Sequence, residues 1–166
     1  VAVEQTIRIR CEAFLSAINT SQSLGLVASH IFRTPPPNWP VEKGATVEVE
    51  SESVDSRVHE TQMISSAERV FVVKIGVFWG NVLPSTRMEN IESKISAVRS
   101  QIEQSTYLMD GIKTGGSYAT GDGQESFDYI DVTDVEKRYD GSIAVAGIIT
   151  MRWAIISAWQ KDTTIT

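Results

Sequence analysis

Three sets of side chains have types and spacings that invite chemistry. Glu48, Glu50 and Glu52 alternate with small or apolar residues. On an extended chain they form one row, about 7 Å apart per step. One cation needs its oxygens within about 2.6 Å, so a solvated acidic face suits this spacing better than a metal site. Asp128, Asp131 and Asp134 recur at intervals of three. That interval sends successive members to alternate faces of a strand and spoils a shared site. Cys11 is the one thiol, and it falls within an apolar helical stripe, where thiols pack and stay inert.

Nothing else assembles a reactive group. His30 and His59 stand in unrelated contexts, and no His-x-x-x-His or Cys-x-x-Cys pair exists. The strand-to-helix junction after Gly80 has the outline of many phosphate sites and nucleophile elbows. It lacks both G-x-x-x-x-G-K-[ST] and G-x-S-x-G, so the amides and side chains those chemistries need are missing. Lys113-Thr114, in a glycine-rich stretch, has no preceding glycine frame. The sequence gives no catalytic residue, no metal ligand set and no cofactor site.

The elements that carry these residues read clearly in places. Ile7, Cys11, Phe14, Leu15 and Ile18 form one face of a helix over 3–19, with an exit at Asn19-Thr-Ser-Gln-Ser. A short strand is plausible over 24–32. Four prolines follow within 35–40, around Trp39, and demand an extended path. Residues 45–54 alternate as a half-exposed strand with an acidic outer face. Polar residues 55–68 suggest a loop or hairpin tip, which makes 34–68 an excursion from the body of the domain.

The strand over 69–80 is the strongest. Phe71, Val73, Ile75, Val77 and Trp79 share a wholly apolar face, while Val70, Val72, Lys74, Gly76 and Phe78 share a mixed one. Thr86 and Glu89 match a capping box for a helix over 87–104 with Met88, Ile91, Ile95, Val98 and Ile102 as its stripe. Residues 110–126 suggest a glycine-rich surface loop. Strands over 126–139 and 143–159 then close a hairpin at Asp140-Gly141, with Gly147 marking a bend or bulge. The expected fold is α+β: a mostly antiparallel sheet with two helices packed on one face and a long inserted excursion or hairpin.

Totals bound the function. The 166 residues suit one domain spanning 1–166, and 42% apolar with 22% charged is a globular balance. A net charge of −6 argues against long-range attraction to nucleic acid or anionic membrane. One cysteine precludes an internal disulfide and fits synthesis in a reducing cytoplasm. Glu4, Arg8, Arg10 and Glu12 exclude a signal-peptide core at the start, and no long apolar run suggests a membrane span. Trp39 and Trp159 flank irregular segments and are the best aromatic candidates for contact with another chain.

The helix TIRIRCEAFLSAI, the strand RVFVVKIGVFWG with RMENIESKISAVRSQI after it, and the closing pair FDYIDVTDVEKRYDGSIAVAGIITMRWAIISAW together resemble the tail terminator, or tail completion, proteins of long-tailed bacteriophages. The likeness is one of pattern over most of the chain. It implies a structural role without catalysis, in a hexameric ring on the end of the tail tube. Such a ring stops tube polymerisation and joins the head. The implied partners are further copies of the chain, the tail tube protein and a head-neck connector or stopper, and DNA would slide through the lumen without specific binding. The implied location is the neck of a virion assembled in the host cytoplasm, with no membrane contact. By position, the excursion over 34–68 would be the reaching arm, and Pro36, Trp39, Pro40, Arg57, His59 and Trp159 are the candidate subunit or tube contacts. Glu48, Glu50 and Glu52 would face the lumen. Two alternatives stay open: a connector, stopper or tail tube subunit, and a small α+β enzyme or ligand-binding domain.

Overall fold

The computed structural model describes residues 3–27, 31–32, 44–60, 64–80, 84–105, 107–108, 124–140 and 144–160. In chain order they form α1 (Val3–Ser21), β1 (Ile31–Phe32), β2 (Gly44–Glu60), β3 (Ile64–Gly80), α2 (Pro84–Gln104), β4 (Gln124–Asp140) and β5 (Ala144–Gln160). The five strands make one open sheet in the order β1-β2-β3-β5-β4. β2, β3, β5 and β4 pair antiparallel, and β1 adds two parallel rungs at Ala45 and Thr46. The fold is α+β, as the sequence pattern implies.

Both helices lie on one face of the sheet because their stripes demand it. Ile7, Cys11, Phe14, Leu15 and Ile18 of α1 and Ile91, Ile95, Val98 and Ile102 of α2 join a single buried cluster. The sheet supplies Phe71, Val73, Ile75 and Val77 from β3 and Ile149, Met151, Trp153 and Ile155 from β5. Alternation on unbroken strands puts each of these sets on one side. Val70, Phe78, Ala146 and Ala154, on the opposite face, are also buried but stand outside that cluster.

The end of α1 is set by a Schellman arrangement. Leu24 N–H donates to Asn19 O and Ser23 N–H to Thr20 O, and Ser23 takes a left-handed φ of 51°. Leu24 folds back into the core. The Asn19 side chain then pairs with the backbone of Leu26 in both directions, each at 2.9 Å. Where α1 passes the end of α2, the Arg10 guanidinium donates twice to Tyr107 O, with Nε at 3.1 Å, and stands 4.1 Å over the Tyr107 ring.

Four expectations change. Residues 55–60 and 64–68, read as a loop or hairpin tip, are paired strand in β2 and β3. A polar run there does not stop the backbone pairing, which uses main-chain groups common to every residue but proline. α2 starts at Pro84, so Thr86 lies inside the helix and not at its cap; proline suits a first helical turn, whose amides lack partners anyway. Gly147 is not a bulge, since β5 pairs with β3 without any shift in register. It sits beneath α2, where a Cβ would meet Ile95 Cγ1 at 2.1 Å. Finally, of the strand placed over 24–32, residues 24–27 are not strand and Ile31–Phe32 are, while 28–30 lie outside the described residues.

Candidate assembly surface

The faces of the sheet follow from register. All seventeen β3–β5 rungs are regular, whereas β2 has three register shifts and β4 has two. The extra residues are Glu50, Asp55 and Val58 in β2 and Asp128 and Thr133 in β4. All four long strands have seventeen residues, so the outer two spend some of theirs on bulges, and a bulge bends a strand and increases its twist. Each bulge also exchanges the two faces for everything beyond it.

That exchange breaks the acidic row. Glu48 stands opposite Lys74, on the face away from the helices, and Glu50 reaches the same lysine at 2.9 Å. Glu52 falls opposite Phe71, on the helix face, and its carboxylate pairs with Arg69 Nε at 2.6 Å. The expectation of three glutamates on one face is therefore corrected by the bulge at Glu50. The aspartate reading is corrected in the opposite sense. Thr133 is an extra residue, so Asp131, opposite Arg152, and Asp134, opposite Thr150, share the helix-free face. Rungs across that face run Glu48, Lys74, Thr150, Asp134 and then Ser51, Val72, Arg152, Asp131. Acid lies on the outer strands and cation on the inner ones.

Of the six candidate contact residues, Pro36, Trp39 and Pro40 lie outside the described residues. Register brings the other three to one end of the sheet. Arg57 pairs with Ala67, His59 with Ser66, and Trp159 with Ser65, all within the last rungs of the β2–β3–β5 ladder. The glycine-rich loop reading over 110–126 also falls mostly outside the described residues, and 124–126 belong to β4.

Lengths show how that end relates to the helices. Seventeen-residue strands extend roughly 56 Å. The 21 residues of α2 extend only about 31 Å, starting from the end of the sheet at Gly80. Ile95 over Gly147 fixes α2 above that near half. The far half, which carries Arg57, His59 and Trp159, lies beyond the reach of α2.

A groove of about 360 Å³ opens between the end of α2 and β4. Ile102, Leu108, Ile130 and Val132 line it, with Arg99, Glu103 and Asp131 around them. Cys11 is buried at 0% exposure. Burial first, and the Glu12 carboxylate second, push its thiol far above the ordinary range, with Arg10 opposing. Such a thiol is not a nucleophile at neutral pH. Among the described residues, no group of three or more His, Cys, Asp or Glu could hold a metal ion, and no helix is long and apolar enough to cross a membrane.

Fold and surface together define an α+β protein built on an open, edge-bulged, largely antiparallel sheet that extends beyond α2. No protein-family model matches the chain, and no curated protein does. A solved structure described as the virion of a native gene transfer agent particle is similar at 12% identity over 93% of this chain and 95% of that chain, with a TM-score of 0.48.

Proposed function

We propose that the chain is a structural protein of a phage-like virion, one that closes the end of a tail tube as a homo-oligomeric ring and forms the joint to the head. The observation that carries the reading is the far half of the sheet. Four strands project about 25 Å beyond α2, a length that a domain working alone has no need to build. A projecting β blade finds its use in lying against neighbours. Arg57, His59 and Trp159 share its last rungs, which makes that end the proposed contact between subunits or with the tube. Pro36, Trp39 and Pro40 would extend the same contact.

The outer-strand margins of the helix-free face are the proposed lumen lining; Val70, Phe78 and Ala154 on the inner strands between them are buried. Glu48, Glu50, Asp131 and Asp134 lie there, and Glu52 drops out because it serves Arg69 on the other face. An acidic wall repels the DNA backbone and lets it slide.

Mass photometry and negative-stain microscopy of the purified chain, alone and with tail tubes, test the proposal. The expected result is a ring, or tubes capped at one end, and loss of either with Arg57→Glu/Trp159→Ala. A chain that stays monomeric and leaves tube growth unchanged would overturn it.

A further inference from the structure

The geometry points to the outer edge of β4 as a strand-addition site for an extended, basic segment of another protein. Two stretches of edge are open among the described residues: β2 beyond Thr46 and the whole outer side of β4. Bulges cut the β2 edge into short pieces. The longest uninterrupted run is 134–140 on β4, and across the bulge at Thr133 it continues into 129–132. An unpaired run of this length offers backbone donors and acceptors in the repeat a further strand needs.

The sides of that edge differ in chemistry. On the helix side are Ile130, Val132 and Val135, with the groove floored by Ile102 and Leu108. The nearby charges on that side are already matched: Lys137 binds Glu92 at 2.9 Å and Arg99 binds Glu103 at 3.0 Å. On the helix-free side are Asp131 and Asp134, both exposed, followed by Glu136. An added strand alternates its own side chains between the two sides. Its partner chemistry is therefore fixed: apolar residues toward the groove, lysine or arginine at alternate positions toward the aspartates.

A second copy of this chain does not meet that description. Its β2 edge would bring Glu48 and Glu50 against the same acids, and a β4 edge would bring the aspartates themselves. The only two cations spaced by two in the sequence are Arg8 and Arg10, which are held in α1. The occupant is a different protein. This inference does not depend on ring formation.

The test uses the full chain, isotope-labelled for amide NMR, and a blocked peptide alternating lysine with valine and a central leucine. Two peptides serve as controls: one with glutamate for lysine, one N-methylated at alternate backbone positions. Expected are amide shifts confined to β4 and the end of α2, with the lysine peptide about tenfold tighter than the glutamate one, the size of two exposed ion pairs exchanged for two like-charge contacts. Asp131→Asn/Asp134→Asn should cut that preference to about threefold or less, because only Glu136 remains, and N-methylation should abolish binding by either route. Equal binding of lysine and glutamate peptides, shifts elsewhere on the chain, or unchanged binding of the N-methylated peptide would each overturn the inference. So would a dimer of the free chain joined through β4.

Discussion

Replacing Gly147 with alanine should destabilise this protein, although the same change in most strands does the reverse. Glycine weakens a strand through its unfolded freedom, and Gly→Ala at a permissive site gains about 0.4–1 kcal/mol. Here the added Cβ would fall 2.1 Å from Ile95 Cγ1, 2.8 Å from Ile95 Cδ1 and 3.2 Å from Ile91 Cγ2. Carbon atoms in contact sit about 3.5–4.0 Å apart, so Ile95 must retreat by more than 1 Å or α2 must lift. Ile95 is β-branched on a helix, which leaves it one good χ1 rotamer and little means of retreat. Overpacking of this kind costs about 1–3 kcal/mol, enough to reverse the backbone gain. The net loss should be about 1–2 kcal/mol, read as a lower urea midpoint at unchanged m and a Tm lower by roughly 2–8 °C. Ile95→Ala alone should cost about 2–5 kcal/mol by opening a cavity. The double variant decides the mechanism. Ile95→Ala removes both clashing atoms, so adding Gly147→Ala to it should cost nothing and partly fill the space. The cycle should show a coupling of at least about 1 kcal/mol. A stabilising single change, or a double variant additive within about 0.5 kcal/mol, would refute the close approach of α2 to β5.

Two further outcomes follow from α1. Ser23 holds a left-handed φ of 51° at the end of the helix, so Ser23→Gly should raise stability by about 0.5–1 kcal/mol in urea unfolding, and Ser23→Val should lower it. Cys11 is a group whose neutral form the fold favours. Its contribution is therefore complete below the unfolded thiol's ordinary value and is lost as pH rises above it, at up to about 1.4 kcal/mol per pH unit. Unfolding free energies at pH 7.5 and pH 10 should diverge more for the native chain than for Cys11→Ala, and a thiol reagent should label Cys11 only at the rate of unfolding.

Local pattern was enough for every element whose two sides differ. The stripes of α1 and α2 and the odd-numbered set of β3 each place apolar atoms at one period, and burial follows the period. Pattern fails where the deciding partner is remote in sequence. A bulge such as Glu50 exists because β3 offers one residue where β2 supplies two, and nothing in V-E-V-E-S-E records the mismatch. Its consequence is large, since it moves Glu52 to Arg69 and leaves Glu48 and Glu50 on the other side. The same device at Thr133 brings Asp131 and Asp134 together where simple alternation separates them. Gly147 belongs to this class too, because the side chain that forbids a Cβ there comes from α2. The candidate surface was legible only in its parts for the same reason. Arg57, His59 and Trp159 are far apart in the chain, and the unbroken β3–β5 ladder is what carries them to one end. Regular inner strands and bulged outer ones thus do two things at once. They let the outer strands bend where the bulges fall, in the middle and far half of the sheet, and they sort the charges of its edges so that the helix-free side is acidic at both margins. Removing the bulges would straighten the sheet and scramble that sorting together, which is a reason to expect shape and charge in this protein to change as one.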